Sequence, residues 1–183
     1  MTKSLGKKLL LPVVLVLIAV IFVLSRQNPC STKEEREKRL GEVGRIKNGV
    51  IIITETEIDG YIVSGYITDD MHYQGLAIFK PDGKGNYNFS TNVNRDYGDL
   101  VMASLTVQDM EKEASYDSVK NYDLFWANRE DVEKIELTYT PEGGESTVVT
   151  LDATDNKIVC YPCNYKSYSV EYKFYDKDGN VFE

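Results

Sequence analysis

One histidine and three cysteines in 183 residues leave little of the usual equipment of catalysis. No G-x-S-x-G elbow is present for His72 to serve as base, and a single imidazole leaves no spare for a relay. Two neighbouring cysteines with one distant histidine fall short of the four ligands of a structural zinc. No cofactor-binding motif appears. The sequence therefore reads as a non-enzyme with no metal and no cofactor. Basic residues are also few outside the N-terminus. Three of the 21 basic residues, all lysines, precede residue 26, so residues 26–183 hold 18 against 29 acidic ones, a net charge of −11. An acidic body of this kind excludes nucleic acid, whose phosphates call for basic patches, and disfavours lying flat on anionic lipid.

What is present begins with Leu9 to Leu24, sixteen residues without a charge, fourteen of them Leu, Ile, Val or Phe. At about −0.3 to −0.6 kcal/mol each, the run favours insertion by roughly 4 to 8 kcal/mol. As a helix it spans about 24 Å, short of a hydrocarbon core of about 30 Å, a gap that snorkelling by Lys7 and Lys8 and local thinning close. The expected organisation is a cytoplasmic tail over 1–8, a transmembrane helix or signal anchor over 9–25, a charged stalk over 26–47 and an extracytoplasmic domain over 48–183. The three lysines before the run favour N-in, and a long domain translocates largely regardless of the basic residues that follow. Two alternatives stay open. Val23-Leu24-Ser25 offers a cleavage pattern that would make the chain a secreted soluble factor, and Cys30 would be the modified residue of a lipoprotein.

The stalk carries a capping box at Thr32-Lys33-Glu34-Glu35 and the i,i+4 pairs Glu34/Lys38 and Glu35/Arg39, which support a short exposed helix without an apolar face. Strands follow. Val50–Glu57 and Tyr61–Thr68 flank Asp59-Gly60, and Gly75–Lys80 and Asn86–Val93 flank a second turn at 81–85. Leu100–Val107, Tyr122–Ala127, Glu133–Thr140, Thr147–Leu151, Lys157–Tyr161, a strand through Tyr168–Tyr175 and a stub at Asn180–Glu183 complete the series, with an irregular segment over 109–121. Regular spacing with turn signals predicts an all-β fold, a small antiparallel sandwich or open barrel behind the N-terminal transmembrane helix.

The segments YDLFWA, VEKIELTY, STVVTL and YKFYDKDGNVFE, preceded by LAIFKPDGKGNYNFS, resemble small membrane-anchored or secreted proteins of Gram-positive bacteria. The resemblance implies an extracytoplasmic placement and brings no catalytic residues.

Four constellations invite chemistry. Cys160-Tyr161-Pro162-Cys163 has C-x-x-C spacing, yet follows a strand rather than opening a helix; a structural disulfide is the favoured reading, with free thiols or a redox pair as alternatives. Asp69, Asp70 and His72 read as a turn before they read as a metal cluster. Asp176–Asn180 mimics the start of a calcium loop but lacks its glycine and glutamate positions, leaving a hairpin turn. Among the dense tyrosines, alternation puts Tyr168 and Tyr172 on the core face with Val170 and Phe174, and leaves Tyr161, Tyr165 and Tyr175 as candidates for gripping a protein or cell-wall polysaccharide. The expected function is a non-enzymatic binding or scaffolding role at the cell envelope, anchored through Leu9–Leu24.

Overall fold

The computed structural model describes residues 30–44, 46, 49–108, 119–154, 157–163 and 167–182. The apolar run and the expected cytoplasmic tail over 1–8 lie outside these, as does 109–118 of the irregular segment. Among the described residues no helix is long and apolar enough to cross a membrane.

The fold is all-β. Eleven strands follow one helix in the described residues: α1 (Lys33–Val43), β1 (Val50–Ile58), β2 (Tyr61–Thr68), β3 (Tyr73–Pro81), β4 (Tyr87–Asp96), β5 (Val101–Gln108), β6 (Val119–Trp126), β7 (Lys134–Pro141), β8 (Thr147–Asp152), β9 (Val159–Pro162), β10 (Tyr168–Tyr175) and β11 (Val181–Phe182). They form three antiparallel sheets, ordered β1-β2-β3-β4, β5-β6-β9 and β11-β10-β7-β8. Asp59 and Gly60 both take positive φ in the two-residue β1–β2 connection, with Ile58 opposite Tyr61, the geometry that an Asp-Gly pair favours.

The β5-β6-β9 sheet is the middle layer. Leu124 and Trp126 of β6 join Val63, Leu76 and Ile78 of the first sheet in one core, while Phe125 and the following Ala127 join Ile135, Leu137 and Phe174 of the third sheet in another. Burial on both faces explains why Tyr122–Ala127 reads as a nearly continuous apolar run instead of alternating. The first sheet meets Trp126 at Gly65, where a Cβ would stand 2.7 Å from the indole; only glycine admits that approach.

The outer face of the first sheet is covered by α1, and here the expectation of an exposed stalk fails. Leu40 is fully buried against Ile52, Tyr66, Ala77 and Phe79. Arg36 lies flat on the sheet, its Nε and Nη2 donating to the two carboxylate oxygens of Glu55 at 2.8 and 2.7 Å, while Ser64 donates to the same carboxylate. The capping box at Thr32 and Glu35 is formed. One leucine and one arginine with a partner nineteen residues away replace the apolar stripe that periodicity looks for.

Burial by itself would raise the Glu55 carboxyl, but hydrogen bonds from Arg36 and Ser64 and the guanidinium charge outweigh it and hold it below its ordinary 4.5. A depressed folded-state value means the pair stabilises fully above about pH 4.5 and loses its contribution as pH falls through the folded value. Arg36→Ala, which strands a half-buried carboxylate, is expected to cost about 2–3 kcal/mol at neutral pH. Melting temperatures measured between neutrality and acid should converge for wild type and Arg36→Ala; a constant gap across that range would show that the ion pair does not hold the helix.

Candidate functional site

The strongest concentration of polar chemistry sits inside the molecule. Asp123 is the one charged residue in the β6 core run and is 1 % exposed. Alternation turns it to the same face as Phe125, toward the third sheet. Ser104, its cross-strand neighbour on β5, donates to Oδ1 at 3.2 Å; Tyr139 of β7 donates to Oδ2 at 3.0 Å; and the Tyr168 hydroxyl of β10 lies 2.7 Å from both oxygens. Tyr139 is packed between Tyr161 and Tyr168, with ring centroids 5.2 and 5.5 Å away. Burial, followed by the Asp123 charge, pushes the Tyr139 phenol far above its usual value; burial and hydrogen bonds to Asp123 and Cys163 do the same for Tyr168. Both phenols are therefore held as proton donors to the carboxylate. A carboxylate supplied with three hydroxyl donors and closed from water ties the middle sheet to the third. It has no open face for a substrate.

The C-x-x-C pair is not bonded: none of the three cysteines is in a disulfide. β9 is extended through Pro162, and Cys163 N–H continues the ladder to the Asn121 carbonyl. Three steps along a strand separate two Cα atoms by about 10 Å, against the roughly 4.4–6.8 Å that a disulfide requires. The side chains also diverge: Cys160 packs with the core of the first sheet, Cys163 with that of the third. The expected disulfide is thus replaced by two thiols on opposite faces of one strand. Burial, then the nearby carboxylates of Asp59 and Asp123, raise the Cys160 thiol above its usual value, the reverse of what a redox thiol needs. Cys30 is also buried, its N–H bonded to the Tyr87 carbonyl and its thiol raised by burial.

The tyrosine candidates are not brought together. Tyr161 points inward, half-buried on Tyr139. Tyr165 lies outside the described residues. Tyr175 is on the outward face of β10, its ring 3.7 Å from Lys134 Nζ and its hydroxyl bonded to Glu136. Tyr168 is partly buried against the core of the third sheet, but Tyr172, on the same face, is 47 % exposed. It lies where β11 no longer flanks β10, since that pairing involves only Phe174 and Tyr175. His72 belongs to the β2–β3 turn, with its Nδ1 2.9 Å from the Asp70 carbonyl. Among the described residues no group of three His, Cys, Asp or Glu could hold a metal. Asp176 accepts the Asp178 and Asn180 N–H groups at 2.9 and 2.8 Å, closing the turn before β11.

A surface that the sequence reading missed lies at the end of the first sheet. Met71, Tyr73 and Tyr97 are 53, 46 and 38 % exposed. Met71 has φ +54, a conformation that side chains other than glycine, asparagine and aspartate rarely take. It is held there by its N–H to the Thr68 carbonyl at 2.8 Å, and Tyr73 N–H returns to the Thr68 hydroxyl at 3.1 Å. Tyr97 N–H donates to the His72 carbonyl at 3.0 Å, and its hydroxyl accepts from Asn128 at 3.0 Å. Beneath them the buried Gln74 amide donates to the Asp99 carbonyl and accepts the Gly98 N–H, locking the β4–β5 turn that carries Tyr97. The result is three apolar or aromatic groups on a fixed backbone. The available signal was the pairing of bulky residues with turn residues in TDDMHY and DYGD, which turn statistics assign to solvent.

The chain matches no protein-family model, no curated protein and no solved structure.

Two outcomes follow for the interior. Tyr168→Phe leaves the ring in place and removes the shortest bonds to Asp123; a loss of about 2 kcal/mol is expected in denaturant unfolding, and a loss under about 0.5 kcal/mol would mean the carboxylate is satisfied without it. Thiol titration of unfolded, never-reduced protein should return all three cysteines; a return of one would restore the Cys160–Cys163 bond.

Proposed function

We propose that the chain is a single-pass membrane protein, N-terminus inside, whose extracytoplasmic all-β body is a non-enzymatic binding module presenting the Met71–Tyr73–Tyr97 tip to a partner. The observation that carries this reading is the placement of the two ends. The chain comes into the body at the β3–β4 turn, where Cys30 N–H bonds the Tyr87 carbonyl and Ser31 bonds the Asn86 side chain at 2.8 Å. β3 runs from the tip at Tyr73 to that turn at Pro81, a length of about 26 Å. Six steps of chain from Leu24 to Cys30 reach at most about 20 Å. An anchor at Leu9–Leu24 thus keeps the β3–β4 end near the bilayer and turns the tip away from it.

The resemblance to small anchored or secreted Gram-positive proteins supports the same compartment. The tip supplies what a binding surface needs: amphipathic tyrosines and an adaptable methionine already fixed in one backbone geometry, so that little order remains to be imposed on association. Cleavage near Ser25 gives the second reading, a secreted factor with the same tip.

Cells expressing Met71→Cys, treated intact with a membrane-impermeant maleimide, should label in the membrane fraction well above wild type, whose Cys30 and Cys163 are buried and Cys160 partly so. Labelling only after lysis would overturn the orientation, and labelled protein in the medium alone would replace the anchor by the secreted form.

A further inference from the structure

We infer that the tip takes a cationic polypeptide segment that carries an apolar side chain. The inference rests on the tip being the presented surface and adds the chemistry of what it meets.

Charge complementarity carries the argument. The exposed carboxylates of Asp69, Asp70, Asp96, Asp99, Glu130 and Asp131 stand on the same turns as the three apolar groups or on the loop joined to them through Asn128. Asp96 is directly opposite Tyr73 in the β3–β4 register. Against these six carboxylates are two guanidiniums, of Arg95 and Arg129. Arg129 is already occupied: it forms a two-point pair with Asp131 at 3.0 and 2.8 Å, feels Asp99, and stacks 5.4 Å from the Phe174 ring. The remaining field at the tip is negative. It repels phosphate-bearing polymers and draws in ammonium and guanidinium groups, and contacts made there act within a Debye length of about 8 Å at physiological salt.

The centre of that collar is apolar. Met71 stands exposed on a turn that holds its backbone in the left-handed region, two residues before Tyr73 and on the turn to which Tyr97 N–H bonds through the His72 carbonyl. A thioether accommodates side chains of differing shape, and tyrosines anchor them at little entropic cost. A wholly polar cation would leave these three groups unused. A neutral glycan could stack on the tyrosines but would gain nothing from the carboxylates as salt is varied. A lysine- or arginine-rich segment with an aliphatic or aromatic residue uses both halves of the surface.

The test uses full-length protein in nonionic detergent and four probes: an alternating Lys–Leu peptide, a Lys–Gly peptide of equal charge, a Glu–Leu peptide and a neutral N-acetylglucosamine oligomer. Lys–Leu should bind tightest and weaken at least about tenfold as salt rises from about 50 to about 300 mM. The double variant Met71→Ser/Tyr73→Ser should lose at least about tenfold, while Tyr172→Ser, an exposed aromatic elsewhere, should not. Asp69→Asn/Asp96→Asn should both weaken binding and flatten its salt dependence. Each variant is accepted only if it melts with the wild type, and Tyr73→Phe, which keeps the ring, should rescue binding. Equal binding of Lys–Gly, equal or better binding of Glu–Leu or the sugar, equal loss in Tyr172→Ser, or no binding by any probe overturns the inference. Failure here with surface labelling of Met71→Cys intact removes the partner class and leaves the anchored orientation standing.

Discussion

The architecture depends on one carboxylate buried in the middle of three sheets. β6 is covered on both faces, so a charged group there cannot turn to water, and an unsatisfied one would cost several kcal/mol. Asp123 is tolerated because each neighbouring element contributes a hydroxyl: Ser104 from β5, Tyr139 from β7, Tyr168 from β10. The contacts come from strands far apart in sequence and fix the distance between the middle and third sheets. The tyrosine rings stacked around them exclude water and lower the local dielectric, which strengthens each bond. The two apolar cores on either side of β6 then have a common wall of defined position.

The other end of the stack is closed differently. The first sheet packs its inner face on Trp126 and its outer face under α1, and α1 is held by the Arg36–Glu55 pair together with the buried Leu40. Glu37 of the same helix accepts the Ile52 N–H at 2.8 Å, satisfying a donor on edge strand β1 that would otherwise invite pairing with another chain. By fastening Cys30 and Ser31 to the β3–β4 turn, this arrangement determines from which end the chain emerges. A segment that looks like a loose spacer is part of the rigid body.

Most strands were legible because their signals are local. Asp59-Gly60 demands a two-residue turn, and alternation in Lys134–Pro141 names its buried face. The failures share a physical origin in contacts between residues distant in sequence. Arg36 is a surface arginine until Glu55 is beneath it. Tyr161 is a candidate ligand-gripping residue until Tyr139 covers it. Tyr172 has the periodicity of a core residue, but β11, which flanks only Phe174 and Tyr175, ends before it reaches Tyr172. Cys160 and Cys163 suggest a bond by spacing, whereas an extended backbone separates them and sends them to different cores. Asp123 was passed over because a single acid in an apolar run carries no indication of which hydroxyls will reach it. The tip was passed over for the opposite reason, since turn residues are expected in solvent and only the φ of Met71 and the burial of Gln74 show that these turns are held.

Local chemistry and function therefore part company in this fold. The groups with the most perturbed titration, Tyr139 and Tyr168, are those whose hydrogen bonds are complete and whose contacts are all internal, so perturbation here marks structure. The tip has the opposite character. Its side chains are partly exposed, while the N–H groups of Met71, Tyr73, Tyr97 and Gly98 are bonded to Thr68, His72 and Gln74. Strain at Met71 persists because the surrounding bonds over-determine it, and a side chain held at such cost on an exposed turn, amid like charges that repel one another, is explained better by what it meets than by what it stabilises. On the proposed reading, repulsion among the carboxylates of the free surface and attraction of a cationic segment would act in the same direction.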